Sequence, residues 1–303
     1  MITATNITKR FGDTIALDHL NCKIPEGCVY GLVGSNGAGK STLLRLIAGI
    51  YRPEGGEITI DGQPVFDNPD VKRRIVFVPD ELFFLPHSNL KRMEQLYTAI
   101  YPNFSHERFM TLLSDFSLNP NANLTTFSKG MRRQAATILA LSCNTDFILF
   151  DETFDGLDPV MRNLLKNLLY REVLERKATA VITSHSLREL EDTCDQLALL
   201  HKGGIIFESD IDHLKTSLFK VQVAFPDEYD RSRFAGIEAL SFTKHGSVSS
   251  LIVRGDRDET EAKIKAMEPV LFEILPLSLE EVFVYEMGLL GYEFSEVLKQ
   301  EVQ

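Results

Sequence analysis

The sequence predicts an α/β fold built on a mainly parallel sheet, and three observations carry that reading. Short apolar runs such as Phe147-Ile148-Leu149-Phe150 carry no polar residue, as strands buried on both faces require. These runs alternate with helical stretches, the pattern of parallel strands joined by crossover helices. A glycine-rich segment, Gly34-Ser35-Asn36-Gly37-Ala38-Gly39-Lys40-Ser41, lies between one such strand and one such helix.

From the N-terminus, segments 2–8 and 16–24 read as short strands split by a turn at Gly12-Asp13, the start of an antiparallel β subdomain. Segment 28–33 is an apolar strand leading into the glycines. Over 42–50, apolar residues at Leu43, Leu44, Leu46, Ile47 and Ile50 follow a helical period. Pro53-Glu54-Gly55-Gly56 is a turn, followed by strand 57–60 and a buried-type strand at 75–78 that Pro79 stops. Between 89 and 144 the strand signals vanish, and 90–100, 105–116 and 129–143 read as amphipathic helices. They form a helical subdomain over about 88–144, set into the α/β pattern. Strands return at 147–150 and 178–183 with a helix at 160–175 between them, and 196–200 and 205–208 flank Lys202-Gly203-Gly204 as a hairpin. The character changes near Lys215: strands at 220–225, 239–242, 249–254 and 271–275, with helices at 259–267 and 279–290, make a small α+β appendage. The expected domains are therefore 1–214 and 215–303.

A chain of 303 residues suits one large domain and a smaller one. Lys plus Arg number 32 against 43 for Asp plus Glu, a net charge of −11, which argues against a nucleic-acid partner. A phosphate can still be held by backbone N–H groups on an acidic protein. No apolar run approaches the ~18 residues that span a bilayer. The N-terminus lacks a basic-then-apolar leader, so the expected location is the cytoplasm, with any membrane role exercised through a partner. Cys22, Cys28, Cys143 and Cys194 form no C-x-x-C pair and are expected to be free, buried thiols.

The segment Gly34 to Ser41 fits G-x-x-x-x-G-K-[ST] in full and sits where a P-loop must, after a strand and opening a helix. The glycines let the backbone wrap a phosphate with its N–H groups pointing inward, so Ser35, Asn36, Gly37, Ala38, Gly39 and Thr42 are nucleotide-binding candidates; Lys40 would neutralise the β- and γ-phosphates, and Ser41 would hold Mg²⁺. The run 147–150 ends in Asp151-Glu152, which places two carboxylates at the C-terminal end of a buried strand, where ligands bind in such sheets. Asp151 is a candidate for the Mg²⁺ shell and Glu152 for the general base that polarises the attacking water. Ala180-Val181-Ile182-Thr183-Ser184-His185 is a second strand ending in polar groups. A lone histidine there is usually structural; beside the other two motifs, His185 is assigned a contact to the γ-phosphate.

With these motifs in place the sequence resembles the ATP-binding cassette ATPases over residues 1 to about 214. Phe127-Ser128-Lys129-Gly130-Met131 stands where that family has its signature, with Ser128 88 residues after Lys40 and 23 before Asp151. Gly156-Leu157-Asp158 follows Glu152 as the family's D-loop does, and His185 takes the switch-histidine position. The resemblance implies a head-to-tail dimer with two ATP molecules between subunits, in which Ser128, Gly130 and Asp158 act across the interface. It also implies that Phe11 stacks on adenine; the other reading makes Phe11 a core residue.

Three departures from the family pattern stand out. Asp80 replaces a glutamine that usually touches Mg²⁺ and the permease; a carboxylate can still bind the cation. Lys129 and Met131 replace Gly and Gln in the signature, and Thr153-Phe154-Asp155 replaces the usual residues before the D-loop. None removes Glu152, so an active ATPase is expected. Residues 79–104, with Phe83, Phe84, Leu85, Tyr97 and Tyr101, lie where the family docks a permease helix; these aromatics form either that groove or the subdomain's own core. The stretches Tyr101-Pro102-Asn103-Phe104, Ser128 to Met131 and Leu277 to Phe283 resemble one bacterial branch, whose members work with drug, antibiotic or lantibiotic exporters and with related permeases of other cargo. The expected function is an ATPase subunit powering a separate permease, with ATP and Mg²⁺, peripheral on the inner face of the membrane. The alternative is a nucleotide-gated regulatory protein with little turnover.

Overall fold

The computed structural model describes residues 1–154, 157–289 and 291. The chain divides into two compact units, Met1–Glu208 and Ser209–Gln303.

The first unit holds two sheets. Strands β1 (Ile2–Phe11), β2 (Thr14–Ile24), β4 (Gly55–Ile60) and β5 (Gln63–Pro64) form an antiparallel sheet in the order β2-β1-β4-β5. Strands β3 (Val29–Val33), β6 (Ile75–Val78), β7 (Phe147–Phe150), β8 (Thr179–Ser184), β9 (Gln196–His201) and β10 (Gly204–Asp210) form the second, in the order β10-β9-β3-β8-β7-β6. Within it β3 runs parallel to β8 and β9, and β7 runs parallel to β6 and β8. Every residue of β3, β7 and β8 is buried, which is why β3 and β7 are almost continuously apolar and β8 carries only uncharged hydroxyl residues besides its apolar ones.

Helix α1 (Lys40–Ile47) buries Leu43, Leu44, Leu46 and Ile47. A single turn, α2 (Pro69–Lys72), precedes β6 and escaped the sequence reading because it is too short to show a period. The helical subdomain contains α3 (Leu90–Ile100), α4 (His106–Asp115) and α5 (Lys129–Ser142). Each starts at a side-chain cap: Asn89 accepts from the Arg92 N–H, Ser105 from Arg108 and Ser128 from Met131. Of its aromatics, Phe83 is 77% exposed, while Tyr97 and Tyr101 are half-buried against each other. Helices α6 (Pro159–Arg176) and α7 (Leu187–Glu191) complete the unit.

The β1–β4 pairing depends on Gly56. Its φ is +77°, and a Cβ there would lie 2.2 Å from the Thr5 carbonyl oxygen and 2.3 Å from that of Asn6. Gly56→Ala combines a left-handed alanine, costing roughly 1–2 kcal/mol, with a clash against rigid backbone. The expected result is a fall of at least about 4 °C in the melting temperature of the full chain. A scan within 1 °C of the parent would contradict this account.

The second unit begins inside the end of β10. Helix α8 (Ile211–Ser217) starts at Asp210, whose carboxylate accepts from the Asp212 and His213 N–H groups. The sequence reading placed the boundary at 214, inside this helix, because seven residues give little period to read. Strands β11 (Leu218–Ala224), β12 (Ala239–His245), β13 (Val248–Arg254) and β14 (Leu271–Pro276) form an antiparallel sheet in the order β12-β13-β11-β14. Phe219, Val221, Val223, Leu251 and Val253 pack with Phe234 and with Ile264 of α9 (Arg257–Lys265). Helix α10 (Leu279–Leu289) contacts α8. The sequence extends this last helix to residue 290, which lies outside the described residues.

Candidate nucleotide site

Parallel pairing gathers the candidate residues. Register sets Val33 beside Ser184, Ile182 beside Phe150 and Phe150 beside Val78. The chain leaving β3, β6, β7 and β8 therefore carries the glycine loop, Asp80, Asp151-Glu152 and His185 to one edge of the sheet. A cavity of about 500 Å³ opens there, within the range of small-molecule sites. Its walls are residues 36–42, Asp80, Glu152 and His185, with Thr14, Ile15 and Ala16 of β2 opposite.

The loop turns into α1 at Gly39, whose φ is +111° and whose added Cβ would meet the Ala16 carbonyl oxygen at 2.5 Å. Lys40 is buried, and its ammonium is held on three sides. It donates to the carbonyl oxygens of Gly34 at 2.7 Å and Ser35 at 3.2 Å, and pairs with Glu152 Oε1 at 3.2 Å. The other Glu152 oxygen lies 3.0 Å from His185 Nδ1. Glu152 itself has φ +50°, a left-handed conformation that costs energy in a residue with a side chain and that collects at functional sites.

Asp151 is fully buried beside this pair. Burial pushes its carboxyl pKa up, and hydrogen bonds from Thr183 and Ser41 pull against that. Ser41 Oγ and Thr183 Oγ1 each donate to Asp151 Oδ1 at 2.9 Å. Asp151 Oδ2 is buried without a hydrogen-bond partner. That orphaned oxygen, with Ser41 Oγ close by, is a donor set suited to a hard cation such as Mg²⁺. Among the described residues no group of three or more His, Cys, Asp or Glu could hold a metal ion.

Other candidates sit differently. Asp80 lines the cavity, and its Oδ1 is bound by Arg133 Nη2 of α5 at 2.6 Å. Ser35 contributes its carbonyl to Lys40 and does not line the cavity. Phe11 is 46% exposed, edge-on to Tyr51 at 5.4 Å, and lies outside the cavity wall. Its core reading is thereby lost. Ser128 is exposed at the start of α5, Gly130 lies in that helix's first turn, and Asp158 caps α6 through the Val160 and Met161 N–H groups at 3.0 Å. None of these three reaches the cavity of its own chain. Asp155 and Gly156 lie outside the described residues. The sequence reading missed Thr183 and Ile15; a hydroxyl inside an otherwise apolar buried run was the signal for Thr183.

A glycine loop on a helix start, a lysine inside it and two carboxylates at the end of β7, one strand removed from β3 in the same parallel sheet, define a P-loop nucleoside triphosphatase domain. Residues 17–155 match the ABC transporter family model. The ABC transporter ATP-binding protein YtrB of Bacillus subtilis is 29% identical over 289 residues, covering 95% of this chain and 98% of that one. The bacitracin transport ATP-binding protein BcrA of Bacillus licheniformis is 30% identical over 221 residues, 71% of each chain. A dimeric ATP-binding cassette solved in a post-hydrolysis state with ADP and Pi superposes with a TM-score of 0.63 at 26% identity, covering 70% of this chain and 99% of that one. The chain belongs to the ABC transporter family, as an ATP-binding subunit that hydrolyses ATP to drive transport. All four cysteines are free and buried.

Proposed function

We propose that this chain powers a separate membrane permease that exports a drug, antibiotic or peptide-like cargo, as a head-to-tail dimer on the cytoplasmic face. The observation that carries the catalytic part is the paired arrangement at one cavity: Lys40 with Glu152 and His185, and Ser41 with Asp151. Export is supported by the similarity to BcrA, which is named for bacitracin transport. No described helix is long and apolar enough to cross a membrane.

In this reading the γ-phosphate takes the place of Glu152 as the counter-ion of Lys40. Glu152, released toward His185, accepts a proton from water as the water oxygen attacks the γ-phosphorus. The bond from that phosphorus to the bridging oxygen breaks, and ADP carries away the electron pair. His185 orients the γ-phosphate. Ser41 and Asp151 would hold Mg²⁺, which neutralises phosphate charge when bound. Asp80 is a third candidate ligand once it leaves Arg133.

Ser128 and Gly130 lie at the exposed start of a 14-residue helix, where N–H groups and the helix dipole favour a phosphate. The phosphate is assigned to the partner's ATP, since neither residue lines its own cavity. Asp158 joins them at that interface, and Phe11 stacks on the adenine at the cavity's outer rim. The test is Mg²⁺-dependent ATP hydrolysis against protein concentration. Turnover per chain should rise with concentration and then saturate. Constant turnover per chain would overturn the dimer; ATP binding with no turnover would favour the nucleotide-gated regulatory protein.

A further inference from the structure

We propose that Thr183 is a positioning residue that sets both carboxylates of the nucleotide site through one hydroxyl. Thr183 is fully buried in β8, two residues before His185 and aligned with Leu32 of β3. Its Oγ1 donates to Asp151 Oδ1 at 2.9 Å and accepts the Glu152 N–H at 3.0 Å. A hydroxyl has one proton to give, so the donor is fully committed to Asp151 and a lone pair to Glu152.

Both contacts have consequences for the site. Asp151 Oδ1 receives two donors, Ser41 and Thr183, which fixes the plane of the carboxylate and leaves Oδ2 as its open oxygen. The Glu152 N–H would otherwise be an unpaired donor in a left-handed residue. Tying it to Thr183 holds the backbone turn that aims the Glu152 side chain back at Lys40 and His185. One buried hydroxyl thus fixes the distance between the cation ligand and the proton acceptor. The proposal rests on the roles given above to Asp151 and Glu152.

Thr183→Val keeps the branched shape and removes the hydroxyl; Thr183→Ser keeps the hydroxyl on a freer side chain. The full chain is compared in each form with Glu152→Gln alongside. Steady-state turnover is measured, and ATP affinity is titrated calorimetrically at several Mg²⁺ concentrations without catalysis being scored. Thr183→Val should lower kcat at least tenfold with the KM for ATP within twofold. It should also raise the Mg²⁺ concentration that half-supports ATP binding at least threefold, and Thr183→Ser should bring kcat to within threefold of the parent.

Wild-type kcat and wild-type Mg²⁺ requirement in Thr183→Val would overturn the proposal. So would equal impairment of the Val and Ser forms, which would mean that the side chain only packs. Failure of the underlying reading looks different. Turnover surviving in Glu152→Gln would remove the proton-acceptor role, while the Mg²⁺ titration would still decide for or against Thr183.

Discussion

Glu152→Gln should reduce ATP turnover by at least about 10²-fold, the loss expected when a general base is removed. The same variant should bind ATP more tightly than the parent. Both effects follow from one carboxylate with two partners. Glutamine keeps the size of the side chain and can still hydrogen-bond His185, so the cavity is preserved. It cannot take the proton from the attacking water. It also cannot pair electrostatically with Lys40, whose buried ammonium now sits 3.2 Å from Glu152 Oε1. A phosphate entering the parent site must displace that carboxylate; in the variant the competitor is neutral. Lys40 would keep only the Gly34 and Ser35 carbonyls and would be a stronger phosphate receptor. Turnover stalls with ATP bound, and the dimer that ATP bridges should persist. Steady-state hydrolysis, equilibrium ATP binding and size-exclusion chromatography with ATP read the three effects. Parent-like turnover would remove Glu152 from the chemistry. Reduced turnover with weaker ATP binding would instead mean that the Lys40 pair organises the site rather than competing for it.

The parallel core was legible because burial on both faces leaves a direct trace in composition. β3, β7 and β8 are buried at every residue, and their sequences are nearly free of charge. The order of the motifs was equally visible, since strand, glycine loop and lysine are local. What a linear pattern could not give was orientation. Ser41 and Asp151 are 110 residues apart and meet at 2.9 Å only because β3, β8 and β7 are adjacent. Nothing local marks Glu152 as left-handed, because the conformation is held by Thr183 from the next strand. The wall formed by Thr14, Ile15 and Ala16 was hidden because it belongs to the other sheet. Asp80 was noticed as a departure, but its Arg133 partner lies 53 residues on, in the helical subdomain. Short elements failed for a simpler reason: α2 has four residues and α8 seven, less than two full turns apiece.

The largest expected effect on stability comes from a charge cluster remote from the cavity. Glu172 of α6 is 1% exposed and carries two arginines: Arg108 of α4 and Arg176, one turn further along α6. Each arginine is also fixed elsewhere, Arg108 to Asn144 Oδ1 at 3.0 Å and Arg176 to the Thr145 carbonyl oxygen at 3.2 Å. Burial, followed by the like charge of Arg176, pushes the Arg108 pKa down to about 10, so the two cations are already in conflict. Glu172 is what lets them share the space. Replacing it with Ala leaves two partly buried positive charges facing each other across a cavity, and breaking a buried pair in this way costs about 3–5 kcal/mol. At ~2–4 °C per kcal/mol, the melting temperature should fall by at least about 6 °C. Shape alone does not explain such a loss, and a second variant separates the causes. If charge dominates, Arg108→Leu added to Glu172→Ala should recover part of the stability, because one of the two uncompensated cations is gone, with a coupling above about 1 kcal/mol. If packing dominates, the double variant should be the less stable of the two. A melting temperature within 1 °C of the parent for Glu172→Ala would mean that water reaches both arginines. The tie from α4 of the helical subdomain to α6 would then add nothing to the fold.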